Sequence, residues 1–135
     1  MKKFLFLLAF SFIVGMGAVF AQGQLDGIIV FKVADAGVTS ASLKGTGMNG
    51  FKLTVGDEIF IMAKGNDSDG KEVAIWPTWK ADKELAVSVV EGKSKVVKVK
   101  ALKAGAPLFI SAIYIDDTGK KHEGGVMGEV KEKAK

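Results

Sequence analysis

No cysteine occurs among the 135 residues. A disulfide scaffold, a cysteine-ligated zinc site and a cysteine nucleophile are therefore excluded, as is the acylated cysteine of a lipoprotein. Arginine is missing too, so all 19 basic residues are lysine. Arginine is the preferred bidentate donor to phosphate and to guanine. With a formal net charge of +4, the composition does not suit a nucleic-acid partner. A single histidine, His122, leaves little room for imidazole chemistry, and neither G-x-S-x-G nor H-E-x-x-H is present. There is no internal repeat, which excludes a solenoid or propeller. Only two prolines occur, Pro77 and Pro107.

One apolar run is long enough to be marginal for crossing a membrane, and it lies at the N-terminus. Met1-Lys2-Lys3 gives a positive start, the stretch from Phe4 to Val14 is apolar apart from Ser11, and Val19-Phe20-Ala21 places small residues at a cleavage position. Residues 1–21 therefore read as a secretory signal, cut before Gln22. Loss of Lys2 and Lys3 lowers the net charge from +4 to +2. Residues 22–135 are expected to form one exported domain, periplasmic or secreted to the cell surface, with no membrane span after cleavage.

The remaining chain alternates short apolar runs with turn formers. Leu25 to Val33, with the β-branched cluster at 28–31, is short and reads as a strand, and Phe51-Lys52-Leu53-Thr54-Val55 has period two. Glu58 to Lys64 is almost continuously apolar, as in a central strand covered on both faces or one with a half-buried outer face. A strand is expected from Lys71 to Thr78, ending near Pro77, which cannot donate to a ladder. Leu85, Val87 and Val89 share one face of the next strand. Val97, Val99 and Ala101 share a face opposite Lys98 and Lys100. Residues 103–105 read as a turn, 108–115 as a central strand, and 116–119 as a hairpin turn. A weaker strand from Lys120 to Val130 precedes a charged tail, 131–135. Turn signals every 8–12 residues or so, without a sustained helical period, predict an all-β fold: an immunoglobulin-like sandwich of about 7–8 strands.

These segments carry a specific arrangement. Leu53-x-Val55-Gly56-Asp57 precedes a strand, an acidic turn runs from Asp67 to Gly70, and Trp79 ends the next strand. Lys103-Ala104-Gly105-Ala106 then leads into Leu108-Phe109-Ile110-Ser111-Ala112. Over residues 51–115 the chain resembles the bacterial immunoglobulin-like domain repeated in intimin- and invasin-like surface proteins. The resemblance implies a structural or adhesive module with no catalytic residues to transfer.

Few residues point to chemistry. Gly45-Thr46-Gly47-Met48-Asn49-Gly50 matches G-x-G-x-x-G, but a strand pattern follows it where a dinucleotide site needs a helix; no cofactor is expected. Residues 65–70 invite a calcium reading through Asp67 and Asp69, although the EF-hand spacing fails at both ends of the loop. Trp79 is expected in the core, whereas Trp76, of opposite parity, is a candidate platform for a sugar ring. Lys98 and Lys100 should share an exposed face able to meet anionic polymers. His122, between Lys121 and Glu123, reads as part of an exposed edge strand, and Asp116-Asp117 as a solvated turn.

The sequence thus points to an exported, non-catalytic module that binds a protein or polymer at the envelope or beyond it. A small carbohydrate-binding module using Trp76 is one alternative, and a secreted peptidase inhibitor on the same fold is another. The loops to watch are residues 34–50 and 65–70.

Overall fold

A computed structural model describes residues 24–90 and 95–134. The expected signal, 1–21, lies outside the described residues. Among the described residues nine strands form two sheets. The first sheet contains β1 (Gly27–Val33), β3 (Glu58–Asn66), β7 (Val97–Ala101) and β6 (Leu85–Val89) in that order, with the two-residue β4 (Glu72–Val73) also paired to β3. The second contains β2 (Phe51–Thr54), β9 (Lys121–Lys131), β8 (Gly105–Ile115) and β5 (Thr78–Ala81), in that order. All pairings are antiparallel except β2 with β9, which is parallel with Phe51 opposite Gly128. No helix among the described residues is long and apolar enough to cross a membrane.

The inward-facing residues of both sheets meet in one core. From the first sheet come Val30, Ile59, Ile61, Leu85, Val97 and Val99; from the second, Phe51, Leu53, Leu108, Ile110, Val126 and Val130. Period two along each strand puts every other residue on this side. A further cluster, containing Leu25, Ile28, Ala63, Val73, Ile75 and Ala112, extends the core toward the chain's entry. Trp79 is partly buried and packs against both groups.

The first sheet is also covered on its outer side. Phe31 and Val33 of β1, Met62 of β3 and Val96 pack with Leu43 from the loop 34–50, and Val38 joins them. This second layer explains why residues 59–63 are apolar without alternation: Ile59, Ile61 and Ala63 face the core, while Met62 faces the overlying loop. The loop is tied down further by the Lys64 ammonium donating to the Leu43 carbonyl at 2.9 Å and by the Met48 N–H donating to the Val30 carbonyl.

Three expectations need correction. The strand expected from Lys71 to Thr78 is split. Its start, β4, belongs to the first sheet and its end, β5, to the second, with residues 74–77 crossing between them. Val73 and Ile75 share parity because both are buried, but Ile75 is buried at the crossing and not in a ladder. Residues 103–105 are not wholly a turn: β8 begins at Gly105, opposite Val130, and its register shifts before Leu108. The tail at 131 is likewise still strand, with Lys131 opposite Thr54.

Candidate functional site

Trp76 stands on the crossing between the sheets, directly before Pro77. It is 69% exposed, against a partly buried Trp79 three residues on. An indole kept in water forgoes a large apolar burial, so its position needs another account. The Lys95 ammonium lies over the Trp76 ring, 3.9 Å from its centroid, within range of a cation–π contact. Lys95 also lines a cleft of about 370 Å³ on the outer side of the first sheet, with Gly37, Thr39, Ser40 and Met62. That volume is within the usual range for small-ligand sites. The Ser40 hydroxyl donates to the Glu72 carboxylate, linking the cleft wall to β4. Lys95 is thus the link between the exposed Trp76 ring, which does not itself line the cleft, and a wall carrying Thr39 and Ser40.

The sequence flags Trp76 and the loop 34–50 separately, but nothing in it connects them. Lys95 carries no sequence signal beyond its nearness to Lys98 and Lys100.

The other candidates are spread apart. Asp67 is buried at 8% exposure, and its Oδ1 accepts the N–H groups of Asp69 and Lys71, each at 2.9 Å. Its carboxylate is thus committed to its own turn, while Asp69 is exposed. Among the described residues no group of three or more His, Asp or Glu side chains is placed to hold a metal ion. The segment 45–50 is followed by β2 and not by a helix. Lys98 and Lys100 share the outer face of β7 as expected. Glu58 sits opposite Lys100 in register and pairs with the Lys98 ammonium at 3.7 Å, offsetting part of their charge.

His122 corrects its expectation. It is 8% exposed, although β9 pairs here with β8 alone, opposite Tyr114, and meets β2 only from Gly128 onward, so the exposure and not the edge position is corrected. Its Nε2 is 2.8 Å from Asp116 Oδ2. Asp116 Oδ1 accepts the Thr118 N–H, the Thr118 hydroxyl and the Lys120 N–H. The Thr118 hydroxyl first and His122 second hold this carboxyl well below the usual carboxylate range. Asp116 is therefore no free turn-tip carboxylate. The turns Asp67-Ser68-Asp69-Gly70-Lys71 and Asp116-Asp117-Thr118-Gly119-Lys120 share one design. In each, the first Asp accepts from the third and fifth residues' N–H groups, and the fourth is Gly at positive φ, +84° and +86°. Both serve their hairpins structurally.

A second surface lies on the outer side of β8 and β9. Phe109 and Met127 are direct cross-strand neighbours, 50% and 55% exposed. Beside them is a concavity of about 690 Å³, lined by Phe51, Pro107, Met127 and Gly128, with Lys52 and Glu129 among its polar residues.

Scanned against protein-family models, the chain matches none, and a search of curated proteins returns no match either.

Proposed function

We propose that this chain is a non-catalytic binding module of immunoglobulin-like architecture, exported by residues 1–21, that holds a polysaccharide of the envelope or its surroundings on the Trp76 cleft. The strand order supports the architecture. Sheets β1-β3-β7-β6 and β5-β8-β9 follow the A-B-E-D and C-F-G arrangement of an immunoglobulin sandwich, with β2 added beside the last strand. The observation that carries the binding reading is the exposed indole of Trp76 under Lys95, which also lines a hydroxyl-bearing cleft. Aromatic faces bind the apolar faces of sugar rings, while neighbouring hydroxyls exchange hydrogen bonds with the ring substituents.

The test is retention of the protein on a panel of insoluble polysaccharides and cell-wall preparations, beside Trp76→Ala. Retention of wild type but not of the variant, with unchanged far-UV circular dichroism, is the expected result. Equal retention of both removes Trp76 from the function, and no retention of wild type removes the polymer reading.

The exposed Phe109–Met127 pair favours a second reading, a protein partner docked on the outer face of β8 and β9. Phe109→Glu would then abolish cross-linking to that partner and leave polysaccharide retention intact.

A further inference from the structure

We infer that the Trp76 cleft prefers an acidic polysaccharide, whose pyranose rings carry a carboxylate or a sulfate, over a neutral one. This rests on the polymer-binding reading and names its substrate class. The indole that would stack on a sugar is already covered in part by the Lys95 ammonium. A neutral ring that stacks on this face of the indole must displace the cation and gains nothing from it afterwards. A ring bearing an anion offers the displaced ammonium a charge-assisted hydrogen bond instead, and the flexible four-carbon stem of lysine can follow it.

Among the described residues Lys95 makes no ion pair with a carboxylate, and its ammonium rests on the indole. Glu72, the carboxylate joined to the cleft wall, is held by the Ser40 hydroxyl. Thr39 then serves the sugar hydroxyls, and Trp76 and Lys95 serve the ring and its charge.

The experiment compares polymers that share a backbone and differ in charge: polygalacturonate with its full methyl ester, and dextran sulfate with dextran. Binding to each is followed by affinity gel electrophoresis at low salt, a readout that depends on neither indole. At least one acidic member should bind about tenfold more tightly than its neutral counterpart, as one charge-assisted hydrogen bond allows. Which one does so tells carboxylate from sulfate. Added salt should erode the preference. Trp76→Ala should abolish binding of all four, and Lys95→Gln should remove the preference while keeping neutral binding.

Equal binding of neutral and acidic polymers, still lost with Trp76→Ala, overturns the inference and leaves the polymer reading standing. So does a preference that survives Lys95→Gln. Acidic binding that survives Trp76→Ala but fails in a Lys98→Gln/Lys100→Gln variant moves the charge readout to β7 and overturns both. Failure of every polymer to bind also overturns both.

Discussion

His122 Nε2 donates to Asp116 Oδ2 across 2.8 Å, joining the start of β9 to the turn that precedes it. The pair is nearly closed to solvent, at 6% and 13% side-chain exposure. The Asp116 carboxyl is depressed in the folded chain, so the folded state favours its ionised form. Its contribution is complete above the unfolded value, about pH 4, and is lost as pH falls through the lower folded value. Asp116→Asn should therefore lower the thermal midpoint near neutrality. The gap between variant and wild type should hold above about pH 4 and narrow below it. Melting curves between pH 2 and 7 check this; a gap that widens in acid would contradict the assignment.

Gly128 is where β2 meets β9. A Cβ there would lie 2.2 Å from the Phe51 carbonyl oxygen and 2.4 Å from the ring. Neither the backbone nor the buried ring can yield easily. Gly128→Ala should cost about 1–3 kcal/mol, measured by urea denaturation. Hydrogen exchange should show the loss concentrated in residues 51–54.

The two indoles should separate spectroscopically. Trp76→Phe should remove the red-shifted, acrylamide-quenchable part of the emission and change stability by no more than about 0.5 kcal/mol. The remaining Trp79 signal should be blue-shifted and protected. A protected signal from Trp76 would remove the platform of the candidate site.

Leu43 pins the loop 34–50 to the outer face of the first sheet. Leu43→Ala should cost about 2–5 kcal/mol, the range for a buried leucine, but locally: amide exchange should quicken in 36–48 before the sandwich core is affected. Polysaccharide retention should weaken with it, because Thr39 and Ser40 form the cleft wall.

Much of the sandwich is legible where one face is buried and the other wet. Val97, Val99 and Ala101 against Lys98 and Lys100 fix both strand and orientation. The crossing at 74–77 is not legible, because parity cannot show that a chain leaves one sheet for another; Pro77 alone marks the place. His122 was within reach. Its flanking Lys121 and Glu123 suggest an exposed edge, yet His122 shares parity with Val126 and Val130, which are buried on the same strand. The cleft was not within reach, since residues 37–40, 76 and 95 meet only through the fold.

The parallel pairing of β2 with β9 sets an order of events. Residues 51–54 take residues 128–131 as their only ladder partners among the described strands, and the Val55 N–H waits for the Lys131 carbonyl. Contacts so distant in sequence close late and slowly. While the chain is emerging, β2 has no strand to pair with until β9 has followed it. The β2 edge of the second sheet therefore cannot close before residues 128–131 are in place, however early the pairing of β5 with β8 forms.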